Sequence, residues 1–407
     1  MTRAVDIAGT ERDEAPPADG GALFSEGGAA LRRSPTRQLD FDVVIATRNR
    51  PEALALSIPL ILGQSRQPQK LIVIDSSDDN ARVADTVAKA VAAARTGAGT
   101  AAGAGAGWSG TVIVEHSRPG ITHQRNRGLA HVEAEVVFFP DDDSLFHPGT
   151  SEAIMRAYEL DTEGRIAGVC AADAREPPPG VLPAERYDMT SAHKVHARVT
   201  RYRNRLERRF NALTPTMYIG QLLRARAAPL DWFEAENCVL VESMTGYRMS
   251  FRTARIRANP FDETLTSYAL NEDLDASFAA MRHGCLVGAR NARIYHHRFP
   301  GGRGDPYMLG AMRVLNRSYV TLKHVHDAGL APAEAARARR LVRQFCRLKL
   351  LSCLPRLYRH GTRDELRGVL AALDSVSAML HAPREALPRI YSEAEARIRA
   401  RQTGRSS

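Results

Sequence analysis

Cysteine is scarce in this sequence. The 407 residues contain five (Cys170, Cys238, Cys285, Cys346 and Cys353), none in CxxC spacing. An odd number at such spacings indicates neither a zinc site nor a disulfide framework, and fits a reducing cytosol. No apolar stretch is long enough to span a bilayer, and the N-terminus lacks the apolar centre of a secretory signal. Aromatic residues make up 6%, yet the hydrophobic fraction of 44% is ample for a large core, which excludes a fibrous or low-complexity chain. The charge balance is not even: 56 Lys+Arg stand against 46 Asp+Glu, a net +10. That surplus suits anionic partners, whether a nucleoside diphosphate, an acidic polymer or an anionic membrane face, without choosing among them.

Met1 to about Gln38 is rich in Gly, Ala, Pro and charge and reads as a disordered arm over 1–38. Order is expected from Leu39. Phe41–Ala46 reads as a strand, and Arg50-Pro51-Glu52 opens a helix with proline in its first turn and an irregularity at Pro59. Leu71–Ile74 is a second buried strand, ending at Asp75, and a helix follows over about Val83–Ala94. A flexible Ala/Gly loop (Thr96–Gly107) leads to strand Thr111–Glu115, helix His123–His131 and strand Val136–Phe139. This alternation implies a parallel sheet with ligands outside the carboxyl ends of its strands. Thr47-Arg48-Asn49, Asp75 and Asp141–Asp143 would gather there.

The acids at Phe138-Phe139-Pro140-Asp141-Asp142-Asp143 carry the most chemistry. Three carboxylates at the end of an apolar strand repel one another unless a cation neutralises them. Mg2+ or Mn2+ would bind through one or two of them together with a substrate's phosphates. An acidic surface turn is the plain alternative on this segment alone. Pro140 restricts Phe139 to extended geometry.

Taken in order, FDVVIATRNRP (41–51), LIVIDSSDDN (71–80), QRNRGLA (124–130), FFPDDD (138–143), TGYRMSFR (245–252), Pro260-Phe261-Asp262, NEDLD (271–275) and IYHH (294–297) resemble the family 2 glycosyltransferases. The likeness covers roughly Leu39 to Arg298. It implies a GT-A fold: a doubly wound, mostly parallel, Rossmann-like α/β sheet over 39–300, here followed by a helical extension over 301–407. It also implies metal-dependent, inverting transfer of a sugar from a nucleotide-diphosphate donor, of UDP type, to an acceptor hydroxyl on a glycan, a lipid-linked precursor or a small molecule. No nucleic-acid partner is implied.

By the same resemblance Asp75 meets the nucleobase, Asp141 and Asp142 contact the nucleotide, and Asp143 ligates the metal, with Asp141 and His296 as further ligands. Asp273 is the base that takes the acceptor's proton, with Glu272 the next candidate. Thr47, Arg48 and Asn49 lie on the first strand-to-helix turn, where backbone N–H groups face the nucleotide. For Arg125 two readings stay open, a guanidinium reaching the donor or an ordinary surface arginine. Glu272 and Asp273 are also what a helix N-terminus favours, with Asn271 as its cap. His296 follows an expected short strand, Ala292–Tyr295, and a structural histidine there is the competing reading. The glycine-rich loop Phe299–Asp305, with Arg298 just before it and Arg303 within it, reads as a lid over the diphosphate or as a linker.

A nucleotidyltransferase would share the sheet, but its G-x-G-T-R loop is absent after the first strand. A silent nucleotide-sugar-binding scaffold would share the binding acids, and the joint presence of Asp75, Asp143 and Asp273 speaks against it. Beyond Pro306, helices are expected over Met308–His326, Ala333–Leu354, Arg363–Leu380 and Pro388–Arg401. In the second, Leu341, Val342, Phe345, Leu348, Leu351 and Leu354 alternate with Arg337, Arg339, Arg340, Arg343, Arg347 and Lys349. Such a helix packs on its own protein or lies on an anionic membrane. The location expected is cytoplasmic, free or at the membrane's inner face. Specificity is assigned to loops 177–183 and 201–236.

Overall fold

The structure is a computed structural model, and it describes residues 34–97, 107–181, 214–266, 269–299, 305–353 and 362–403. Most of the expected N-terminal arm, the centre of the Ala/Gly tract, Arg303 with the glycines beside it, Leu354, and residues 182–183 and 201–213 of the specificity loops lie outside the described residues.

Strand β1 (Phe41–Thr47) leads into helix α1 (Pro51–Leu62), β2 (Lys70–Asp75) into α2 (Asn80–Arg95), β3 (Thr111–His116) into α3 (Ile121–His131), and then β4 (Val136–Phe139) follows. The chain continues through β5 (Ser144–Phe146), α4 (Thr150–Leu160), β6 (Ile166–Asp173), α5 (Pro215–Arg224), β7 (Cys238–Leu240), β8 (Met249–Arg252), α6 (Thr253–Ala258), α7 (Glu272–Ala280) and β9 (Cys285–His296). Helix α1 begins at Pro51, whose fixed φ and missing N–H suit a first turn. Pro59 is absorbed without breaking the helix, and its carbonyl accepts the closing N–H of Gly63. Asp79 caps α2 by accepting the backbone N–H of Arg82.

Among the described residues nine strands form one sheet in the order β3-β2-β1-β4-β8-β6-β9-β5, with β7 also on β9. Following the pairings, β3, β2, β1, β4, β6 and β9 run one way and β5, β7 and β8 the other. The sheet is thus mostly parallel and doubly wound, as expected from the sequence. Alternation along each strand feeds two cores. Val43 and Ile45, Leu71 and Val73, and Val136 and Phe138 face α1, α2 and α4. Val44, Ile72 and Ile74, and Val137 and Phe139 face α3, α5, α7 and the C-terminal helices. A Cβ on Gly128 would lie 2.2 Å from Val44 Cγ1, so glycine lets α3 lie against β1.

Two local expectations need correction. The strand carrying His296 has twelve residues, not four. Gly288 and the polar run Arg290-Asn291 hide it in the sequence, and it holds together because β6 pairs along its length while β7 covers one half and β5 the other. The register breaks between Ala171↔Ala289 and Ala172↔Arg293, which marks a bulge. Asn271 does occupy the N-cap of α7, but at φ 74° and without a side-chain hydrogen bond. Asn tolerates that left-handed conformation.

Four helices follow: α8 (Pro306–Asp327), α9 (Pro332–Cys353), α10 (Thr362–Met379) and α11 (Leu387–Thr403). Asp305 caps α8, accepting from the backbone of Tyr307 and Met308. Their buried side chains, among them Leu315, Tyr319, Val342, Val369 and Tyr391, join the core on the α3/α5/α7 face of the sheet. No helix among the described residues is long and apolar enough to cross a membrane.

Candidate active site

The carboxyl ends of β1, β2 and β4 bring Thr47, Asp75 and Asp141–Asp143 to one edge of the sheet, and Ala46 bridges Asp141 there. The acidic turn is locked from inside: Ser144 Oγ accepts the Asp141 N–H at 3.0 Å and donates to the Tyr247 carbonyl. Its three carboxylates are handled differently.

Asp142 is buried at 3% exposure. It accepts from Thr47 Oγ1 at 2.8 Å and lies 2.8 Å from a guanidinium nitrogen of Arg50. Burial, with the charges of Asp143 and Asp141, raises its carboxyl to about 7 against the pull of Arg50. Asp143 accepts from Arg50 Nη2 at 2.6 Å and from the Phe299 N–H at 2.9 Å, both on Oδ2. Burial would raise this carboxyl too, but His296, Arg50 and the Phe299 N–H outweigh it and hold it at about 2. Its Oδ1 is buried with no donor, 3.4 Å from His296 Nε2. Ligand atoms of Asp141, Asp143 and His296 all lie within 4.8 Å of one another. A donorless, buried carboxylate oxygen beside a second carboxylate and an imidazole fits a divalent cation.

Tyr247 backs His296, its ring stacked at 4.5 Å and 15°, and donates its hydroxyl to Asp173 at 2.7 Å. Neither Tyr247 nor Asp173 was singled out from the sequence, where only the run TGYRMSFR marked the vicinity.

Arg125 is 1% exposed, so it is no surface arginine. It donates to Asp141 at 2.9 Å and Glu272 at 3.0 Å, and its guanidinium lies over the Phe261 ring. Its charge therefore joins the acidic turn to the start of α7. There the Gly246 N–H donates to Asp273 Oδ2 at 3.1 Å and the Leu274 N–H to Oδ1 at 2.8 Å. A Cβ on Gly246 would lie 3.2 Å from Glu272 Oε1, so a side chain there would make Glu272 give way by a few tenths of an ångström. Burial and the neighbouring Asp273 push Glu272 up to about 8 despite Arg125, and burial likewise raises Asp273. Asp141, Asp173, Tyr247, Glu272, Asp273 and His296 line one open cavity, with Arg248 and Arg298 on its wall.

At the end of β2, Asp75 is 1% exposed, and its Oδ1 accepts from the Ser77 N–H at 2.9 Å. Its Oδ2 has no hydrogen-bond donor, with His116 Nδ1 3.9 Å away. A buried acceptor of this kind is costly unless something arrives to donate to it. Gln124, buried and unremarked in the sequence, ties β1 to β2 by donating to the Thr47 and Ile74 carbonyls at 2.9 and 2.8 Å. Arg48 and Asn49 turn to the rim. Asn49, at φ 54°, exchanges hydrogen bonds with Asp78, and Arg48 lies 3.8 Å from the same carboxylate.

Among solved structures, a mannosyltransferase from Pyrobaculum calidifontis in complex with GDP-Man and Mn2+ is similar at 15% identity and TM-score 0.44, over 90% of this chain and 86% of that one. S. aureus TarS 1–349 in complex with UDP-GlcNAc is similar at 15% identity and TM-score 0.44, over 89% and 92%. No curated protein matches the sequence. Residues 42–220 match the family model described as glycosyl transferase family 2. That match spans β1 to α5 and the acids those strands carry, and over those residues the chain is similar to that family.

Proposed function

We propose that this enzyme moves a sugar from a nucleotide-diphosphate donor to an acceptor hydroxyl with inversion, using a divalent cation and Asp273 as general base. One observation carries the reading: a single cavity joins Asp273 to Asp141 and His296 of the cation-fitting cluster. Asp141, Asp143 and His296 would hold Mg2+ or Mn2+, which when bound supplies positive charge to a departing nucleoside diphosphate. Asp273 takes the hydroxyl proton as the acceptor attacks, and its two backbone donors aim the carboxylate. Arg125 fixes the spacing between the acidic turn and Glu272. The free Oδ2 of Asp75 accepts one edge N–H of the base. Uracil offers a single such N–H between two carbonyls, which favours a UDP donor. The buried Thr47 hydroxyl holds Asp142, while Arg48 and Asn49 stand at the rim where a ribose or phosphate would pass.

The acceptor is a glycan, a lipid-linked precursor or a small molecule carrying a free hydroxyl. A peripheral contact with an anionic membrane face, on the cytoplasmic side, fits α9. Its Ala338, Val342 and Cys346 are buried, while Arg340, Arg343 and Arg347 are exposed beside Leu348 and Leu351, themselves 39% and 57% exposed. Free, buried Cys170, Cys238, Cys285 and Cys346 support a reducing compartment. We take 39–300 as the transferase domain and 301–407 as its helical extension.

A panel of nucleotide sugars, with and without Mn2+, tests this reading by thermal shift and by detection of glycosylated product. A ligand at a hundredfold excess over its Kd stabilises by about 2.7 kcal/mol. If no nucleotide sugar shifts the melting transition with the cation present, the donor assignment fails.

A further inference from the structure

Helix α7 carries Glu272 and Asp273 on its first turn but has little of its own to hold it. It is nine residues long, and its N-cap side chain makes no capping hydrogen bond. Successive residues on a helix turn by about 100°, so Asp275 projects roughly opposite to Asp273. Asp273 borders the cavity, and Asp275 is buried at 1% exposure against α8. There its Oδ2 accepts from Lys323 Nζ at 2.8 Å and its Oδ1 pairs with His324 Nε2 at 2.9 Å. Lys323 also donates to Asp262 at 2.8 Å, and Asp262 accepts from Tyr319 OH at 2.8 Å. The His324 ring stands edge-on to Phe278 of α7.

The same helix reaches the chain just ahead of α7. Asn316 Nδ2 donates to the Leu270 carbonyl at 2.9 Å, and Tyr391 of α11 donates to Asn316 Oδ1 at 2.8 Å. Thr266 donates to Glu395 of α11. Asp262, Thr266, Leu270 and Asp275 are therefore each held by α8 or α11. Apolar packing alone would stabilise this junction as well or better, because burying ions is costly. What charged hydrogen bonds add is a defined direction and distance.

We infer that Lys323 and His324, with Asn316 behind them, are positioning residues that clamp the far side of α7 and so set where Asp273 sits beneath the acceptor. This rests on the assignment of Asp273 as the base. A shift of about 1 Å at a reacting group costs on the order of 100-fold in rate, so even a small release of α7 is readable.

The test uses the full chain with His324→Gln, Lys323→Met and Lys323→Arg. Val342→Ala serves as a control that loosens the buried packing of the helical extension without removing any hydrogen bond of the clamp. His324→Gln and Lys323→Met should lower kcat by about 10-fold or more while the Kd for UDP with Mn2+ stays within about twofold, and Lys323→Arg should recover most of the loss. Val342→Ala should lower Tm and leave kcat of the folded enzyme unchanged. If Lys323→Met does not fold, His324→Gln, which keeps the lysine pairs, carries the test. Amide exchange over 269–275 should quicken in His324→Gln while exchange over β2 and α3 is unchanged. A folded His324→Gln variant with wild-type kcat, or with unchanged exchange over 269–275, overturns the clamp. Absence of sugar transfer by the wild type overturns the functional assignment instead, and the exchange measurement then still decides the clamp.

Discussion

Asp143 Oδ1 and His296 Nε2 face each other across 3.4 Å, and the carboxylate oxygen has no hydrogen-bond donor. A cation seated between them and Asp141 would complete both groups. Nucleotide affinity measured by calorimetry should therefore fall on adding EDTA, and Asp143→Ala should abolish the dependence on Mn2+ while the fold survives. Equal affinity with and without chelator removes the cation from the donor site.

Asp273→Asn keeps the size of the side chain but cannot take up a proton. Turnover should drop by about 100-fold or more with donor affinity nearly unchanged. A variant within about threefold of wild type would move the base to Glu272.

Turnover should also report the burial of this acidic pair. Burial raises Glu272 to about 8 and raises Asp273 as well, and Arg125 opposes both shifts. A base works only when ionised, so kcat should fall as pH drops through a value above the ordinary carboxylate pKa of about 4. Arg125→Met removes the opposing charge, and the acid limb of its pH profile should move further upward. An unmoved limb in a folded variant would show that the titrating group lies elsewhere.

Co-sedimentation with vesicles tests the exposed face of α9. The protein should pellet with anionic but not neutral vesicles at low salt, and be released by high salt. Each basic side chain near such a surface contributes about 1 kcal/mol, so a triple Arg340→Ala, Arg343→Ala, Arg347→Ala variant should stay in the supernatant. Wild-type protein left in the supernatant with anionic vesicles would make α9 only a packed helix.

Much of this architecture was legible because it is local. An apolar run ending in an acid announces both a buried strand and the side chain at its edge, which is how Asp75 and Asp141–Asp143 could be read directly. Arg125 was not legible in the same way. Its helix reads ITHQRNRGLAH, a polar surface pattern, and its partners Asp141 and Glu272 lie 16 and 147 residues away. The clamp on Asp275 has the same character, since Lys323 and His324 arrive 48 and 49 residues later. In α9 the leucines misled: small residues Ala338 and Cys346 bury with Val342, and Leu348 and Leu351 point out. Period identifies a helix, but which stripe faces inward depends on the neighbour it must fit.

The link between Thr266 and Glu395 has a consequence in time. The two residues are 129 positions apart, and ribosomes add about 5–20 residues per second, so Thr266 waits roughly 6 to 26 s for its partner. Through that interval the strands carrying Asp75 and Asp141–Asp143 can already assemble, while the segment leading to Asp273 lacks its last anchor. Under the proposed function, a nascent chain would thus acquire donor binding before it acquires turnover.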